Sequence, residues 1–321
     1  MSVPQPLPWQ DAHMRRLEKA IGQGRLAHAL LFTGPSGAGK LHLVNSLVYR
    51  LLKDESSSEQ TVSLLGTETH PDVIRVGLLE DKKQISVDQV RELCERLSLT
   101  PQLASIKIAI IEPAEAMNRN AANALLKTLE EPQGNSLLIL VSHRHGLLPQ
   151  TIRSRCQHIP LSLPDPQQAS SWVRKHGVEE ADEYLEISNG APLKALQAVE
   201  EDRLTQFSAL VDDLARLIDS RSSMVSVAAK RKQIEMETLI SWLDHIVRSL
   251  TRYTVYGEFT SNVTSNLLNN LKISVDRIDL KKLLEYSEYL DKSRLEVDNN
   301  LNRELMLEQF FTRWAALNMA V

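Results

Sequence analysis

The stretch GPSGAGKL (34–41) follows a short apolar run and precedes an amphipathic one. Glycine tolerates the positive φ angles that turn successive backbone N–H groups towards one point, so Gly34, Gly37 and Gly39 suit a loop wrapped around phosphate oxygens. Lys40 would reach the terminal phosphates, and the helix start behind it adds partial positive charge. The chemistry implied is the binding of a nucleoside triphosphate. One part is missing. The position after the lysine normally carries a hydroxyl that ligates Mg²⁺, and here it is Leu41.

Hydrolysis needs a second half, an acid at the end of a neighbouring strand and often a glutamate beside it that polarises water. In IAIIEPAEAM, Glu112 stands at the acid's position and Pro113 at the glutamate's. Glu115 reads as an exposed acid of the following turn. Ser142, at another strand end, suits either a polar sensor or a capping serine. Further on, TIRSRCQ (151–157) offers Arg153 and Arg155. Such an arginine is a surface or salt-bridge residue, or a finger that stabilises phosphoryl charge in a neighbouring subunit. The residues alone leave both readings open.

These groups must be positioned by a scaffold, and the hydrophobic pattern indicates which. ALLFT (29–33), DVIRV (72–76), IKIAII (106–111), LLILV (137–141) and QHIPL (157–161) have the length and composition of buried strands. Between them lie helical patterns: residues 41–52; a stretch opened by the capping box Ser86/Gln89 with Val87, Val90, Leu93, Cys94 and Leu97 on one face; and NAANALLKTLEEP, with Ala122, Leu125, Leu126 and Leu129 on one face and Pro132 as its stop. Strands alternating with helices predict a five-stranded parallel sheet covered on both faces. Prolines in LSLPDPQQ (161–168) mark a boundary. Beyond it the pattern is helical throughout, first short helices to about 199, then long amphipathic ones. Leu307, Phe310, Phe311, Trp314 and Leu317 form a stripe that reads as helical core. The run Lys230, Arg231, Lys232 reads as a solvated helix face.

Composition limits the alternatives. With 42% hydrophobic and 24% charged residues in 321 positions, the chain has the make-up of folded domains. A net charge of −4 supplies no overall field to draw it onto nucleic acid. Cys94 and Cys156 are its two cysteines, which excludes a disulfide framework and fits a reducing cytoplasm. No apolar run approaches the ~20 residues of a membrane span, and MSVPQPLPWQ lacks the basic-then-apolar order of a secretory signal.

HALLFTGPSGAGK, THPDV, ISVDQVREL, NAANALLKTLEEP and TIRSRCQ, in this order, resemble the bacterial clamp-loader AAA+ subunits. The resemblance covers roughly residues 26–160. It implies an AAA+ P-loop domain at 1–163, a small helical lid at 164–205 and a helical collar for oligomerisation at 206–321. It also implies membership of a pentameric ring with motor subunits (γ/τ) and δ, which places a sliding clamp (β) on primed DNA as part of a DNA-directed DNA polymerase holoenzyme. The helix at 120–131 would face the inside of that ring.

By the resemblance Arg155 would be the trans-acting arginine at an adjacent motor's ATP, presented on a turn shaped by Ser154 and Cys156. Gly34, Gly37, Gly39, Lys40 and Glu112 would form the chain's own ATP site, for binding without hydrolysis. The chain departs from the family's motor pattern at Leu41, Pro113 and Leu193, the last where the lid normally offers an arginine and where Lys194 is the nearest cation. Relatives also carry a four-cysteine zinc module before THPD; residues 53–70 contain no cysteine, so no zinc and no metal site is expected. The expectation is a rigid, non-hydrolysing stator subunit. An active ATPase motor subunit of the same assembly is the alternative, and an unrelated P-loop kinase a third reading that the long C-terminal helices disfavour.

Overall fold

The computed structural model describes residues 4–52, 63–64, 69–80, 82–132, 134–219, 222–272, 277–296 and 303–318. The chain divides into two compact units, Met1–Gln168 and Ala169–Val321.

The first unit is built on five strands, β1 (Ala29–Thr33), β2 (Val73–Val76), β3 (Lys107–Ile111), β4 (Ser136–Ser142) and β5 (Gln157–Pro160). They form one parallel sheet in the order β2-β3-β4-β1-β5. Every residue of β1 and β3 is buried, the pattern of strands covered on both faces. Side chains of a strand alternate between faces. Thus Leu30 and Phe32 pack with Met14, Leu17, Leu43 and Leu47 of α1 (Asp11–Gly22) and α2 (Lys40–Leu52). Ala29 and Leu31 pack with Val90, Leu93, Leu125 and Leu129 of α3 (Val87–Ser98) and α4 (Arg119–Glu130). A short helix, α5 (Gln150–Arg153), leads into β5.

The capping box is formed: the Ser86 N–H donates to Gln89 Oε1 at 3.0 Å and the Gln89 N–H to Ser86 Oγ at 3.3 Å. Of the predicted stripe on α3, Val90, Leu93 and Leu97 are buried, while Val87 and Cys94 are half-buried. The α1 helix has no counterpart among the predicted elements, because its polar composition masks a narrow apolar stripe around Met14 and Leu17.

The second unit is helical, starting within α6 (Pro166–Lys175) and continuing through α7 (Ala181–Ile187), α8 (Pro192–Glu200), α9 (Arg203–Ile218), α10 (Met224–Arg231), α11 (Met236–Tyr256), α12 (Asn262–Leu267), α13 (Asn269–Lys272), α14 (Leu280–Glu296) and α15 (Arg303–Ala315). One apolar cluster runs from Ala169 to Leu317. Two buried indoles are satisfied within it, Trp242 donating to the Ile187 carbonyl at 3.1 Å and Trp314 to that of Leu214 at 3.0 Å. The stripe Leu307, Phe310, Phe311, Trp314 and Leu317 is core. Within the basic run, Arg231 is not solvated: its guanidinium donates to Asp213 and to the Ala209 carbonyl. Among the described residues no helix is long and apolar enough to cross a membrane.

Candidate functional site

The loop after β1 has the shape its glycines allow. Gly34, Gly37 and Gly39 have φ of 142°, 83° and 84°. A Cβ on Gly34 would sit 2.1 Å from the Leu161 carbonyl oxygen, so no other residue fits there. Leu161 is held in place by its N–H, which donates to the Thr33 carbonyl at 2.7 Å.

A brace holds the loop from outside. Gln10, wholly buried, accepts the Leu7 N–H at 3.0 Å and donates to the carbonyls of Ala38 at 3.0 Å and Gly39 at 2.7 Å. The Trp9 indole also donates to the Ala38 carbonyl, at 3.0 Å. This contribution of the N-terminal segment carries no local signal in the sequence, since its partners lie 28 and 29 positions away.

Lys40 is nearly fully buried, and its ammonium donates to the carbonyls of Gly34 at 2.7 Å and Pro35 at 2.8 Å. A charge that folding has removed from water must find such acceptors. An arriving phosphate would therefore exchange with these carbonyls for the ammonium. Leu41 is half-buried and packs against the β1–β3–β4 face of the core. It offers no oxygen where Mg²⁺ needs one.

At the same end of the sheet, Glu112 follows β3. Burial pushes its carboxyl up to about 6, with Lys40 and Arg75 opposing the rise and Glu115 adding to it. His143 Nε2 lies 3.8 Å from its Oε1, and Arg75 is engaged with Asn45 Oδ1 at 2.8 Å. Pro113 joins Glu112 through a cis peptide and brings no ionisable group.

Glu115 is not the exposed acid expected. Its Oε1 accepts the N–H groups of His143 at 2.9 Å and Arg144 at 3.1 Å. It can do so because β3 and β4 are parallel neighbours, whose C-terminal ends lie side by side. Ser142 does not cap. Its Oγ is buried at the end of β4, in register with Thr33, and has no hydrogen-bond partner among the described residues.

The glycine geometry, Lys40 and this orphaned hydroxyl fit the phosphates of ATP, and Glu112 lies at the same end of the sheet. The side chains at positions 41 and 113 do not fit its magnesium or its attacking water.

Glu112 makes a testable link between this site and stability. A carboxyl whose pKa rises on folding from 4.5 to about 6 favours the folded state most below the lower value. That contribution is lost as pH rises through the higher one. Glu112→Gln removes the titration, so at pH 7.5 the variant is expected to be more stable by at most about 2 kcal/mol. Below pH 4.5 the difference should vanish. Urea unfolding at the two pH values checks this.

Arg155 lies elsewhere. It is three residues before β5 pairs with the middle of β1, at the N-terminal edge of a sheet whose C-terminal edge carries the P-loop. The four residues of β5 separate the two edges by roughly 13 Å. The Arg155 guanidinium is partly exposed and donates to Glu130 Oε1 at 2.5 Å and to the Thr151 carbonyl at 3.0 Å. Arg153 is exposed as well. Ser154 donates to the Thr151 carbonyl at 3.3 Å, closing the turn. Cys156 packs against the α3–α4 side of the core, where burial pushes its thiol up to about 11. The structure thus gathers Gly34, Gly37, Gly39, Lys40 and Glu112 at one sheet edge and sets Arg155 apart at the other.

THPDV has a structural task. Asp72, fully buried, accepts the N–H groups of Gln102 at 2.7 Å, Leu103 at 2.7 Å and Ala104 at 2.9 Å, with buried Lys107 3.9 Å away. Leu193 and Lys194 lie in the first turn of α8, in the helical unit. Residues 53–70, on which the expectation of no zinc rests, lie mostly outside the described residues. Among the described ones no group of His, Cys, Asp and Glu is placed to hold a metal ion.

Known proteins resemble this chain along most of its length. The family model described as "DNA polymerase III, delta subunit" matches residues 9–165. The DNA polymerase III subunit delta' of Pseudomonas aeruginosa is 32% identical, over 97% of this chain and 97% of its own. That of Escherichia coli K12 is 27% identical, over 95% and 94%. A solved gamma-subunit-related protein of Thermotoga maritima covers 96% of this chain and 99% of its own at 18% identity, with a TM-score of 0.44. By its 32% identity to the Pseudomonas aeruginosa relative over 97% of both chains, the chain belongs to the DNA polymerase III subunit delta' family.

Proposed function

We propose that this chain is a clamp-loader stator, working in a ring with motor subunits of the γ/τ kind and with δ to place a sliding clamp on primed DNA. In this reading Arg155 completes the ATP site of a neighbouring motor, while the chain's own P-loop serves as a structural element without turnover. Residues 164–205 act as the lid and 206–321 as the collar that joins the ring.

One observation carries the proposal. The Arg155 guanidinium, a group able to stabilise phosphoryl charge, is presented at the sheet edge opposite the chain's own loop, which supports service to a neighbour's nucleotide over its own. Likeness to a relative named DNA polymerase III subunit gamma, from Buchnera aphidicola, 28% identical over 58% of this chain, supports partnership with proteins of that kind. ATP, where bound, is held by Gly34, Gly37, Gly39 and Lys40, with Glu112 at the strand end. It supplies phosphate charge to anchor there, and Pro113 offers no group to activate water.

The test is turnover. The isolated chain is expected to hydrolyse no ATP, and Lys40→Ala should leave the ATPase of a reconstituted complex unchanged. Robust hydrolysis by the isolated chain that Lys40→Ala abolishes would establish the motor reading instead.

A further inference from the structure

We infer that Glu130 is the positioning residue of Arg155, an inference that rests on the trans role proposed for that arginine. Two stretches separated in sequence, the LEEP end of α4 and the SRC turn, meet through one charge-assisted contact, Arg155 Nη2 to Glu130 Oε1 at 2.5 Å. The Thr151 carbonyl takes Nη1 at 3.0 Å. Both sides of the contact hang from fixed points. Glu130 is the last residue of α4, next to buried Leu129 and two positions before Pro132, which cannot continue the helix. Arg155 follows α5, whose Ile152 is fully buried and accepts the Arg155 N–H at its carbonyl, at 3.1 Å.

A guanidinium carries five N–H donors on a long side chain with many rotamers. Glu130 and Thr151 engage one donor each and leave the others for an incoming oxyanion. They also remove rotamer freedom that the arginine would otherwise lose only on reaching a phosphate. Holding a charged group before the reaction lowers the barrier and not the ground-state binding of ATP. The effect therefore belongs in kcat. Neighbouring Glu131 has a different place, as the cap of α4 that donates its N–H to the Lys127 carbonyl, and should not share the role.

The experiment is the DNA-stimulated ATPase of the reconstituted complex carrying E130Q, E130D, E131Q, R155A or the double variant E130Q/R155A. E130Q is expected to lower kcat three- to tenfold at unchanged KM for ATP, with E130D intermediate and E131Q at wild-type level. The double variant should match R155A alone, since Glu130 acts only through Arg155. A wild-type kcat for E130Q, or a further loss in the double variant, overturns the positioning role while R155A still reports on the trans role. Undiminished ATPase in R155A overturns the trans role itself. The pair is exposed, so thermal unfolding of E130Q should track the wild type.

Discussion

Arg155→Ala in a reconstituted clamp-loader complex is expected to lower the DNA-stimulated ATPase by roughly 10³-fold, within the range by which trans arginines accelerate phosphoryl transfer. The chain itself should fold and assemble as before. Arg155 is partly exposed, with Glu130 as its ion-pair partner, and such pairs contribute about 1 kcal/mol or less. Arg155→Lys should not restore the rate, because an ammonium is a single point charge and cannot grip two phosphate oxygens in the guanidinium's planar fork. Arg153→Ala is the control. Its charge is similar in exposure but belongs to α5 and not to the turn, and the ATPase should stay within about twofold. Full activity in Arg155→Ala would remove the trans role.

Asp72→Ala is expected to be the most damaging single change in the P-loop unit, lowering unfolding free energy by about 4 kcal/mol. Three backbone N–H groups of residues 102–104 lose their acceptor together, and buried Lys107 is left with the Thr100 carbonyl at 3.2 Å. Each orphaned donor costs roughly 1–3 kcal/mol, and a buried cation without its counter-ion adds to that. Partial relaxation brings the sum down to the figure given. Asp72→Asn, which keeps an acceptor oxygen, should lose about half as much. Burial pushes the Asp72 carboxyl up, but the three N–H donors and the charge of His70 outweigh this and hold it below its ordinary 3.8. Its contribution is therefore complete above that value and lost as pH falls through the folded pKa. Urea unfolding between pH 7 and pH 3 measures both effects; a wild-type midpoint for Asp72→Ala would refute the account.

These two residues show how far the sequence reaches. THPDV and SRC belong to two of the five stretches whose order resembles the family. Neither shows its task on its own. Asp72 is a scaffold residue because the chain returns to it 30 to 32 positions later. Arg155 sits apart from the chain's own phosphate loop because β5 lies parallel to β1, which sets the turn before one strand and the loop after the other at opposite edges of the sheet.

By itself the sequence determined whatever depends on residues close along the chain. Continuous apolar runs become central strands because both faces must be covered. Ser86 and Gln89 cap a helix because three positions make one turn. Glycines at 34, 37 and 39 permit a phosphate loop because they alone carry no Cβ, and Leu41 and Pro113 bring neither a hydroxyl nor a carboxylate to their positions whatever surrounds them. Tertiary structure decided the partners of the distant polar groups: Gln10 as the brace of the phosphate loop, Glu115 as the acceptor for the turn after β4, and Glu130 as the counter-ion of Arg155. Buried polar groups must be paired, but the strand order β2-β3-β4-β1-β5 chooses the pairs, and it brings together residues that no local spacing relates.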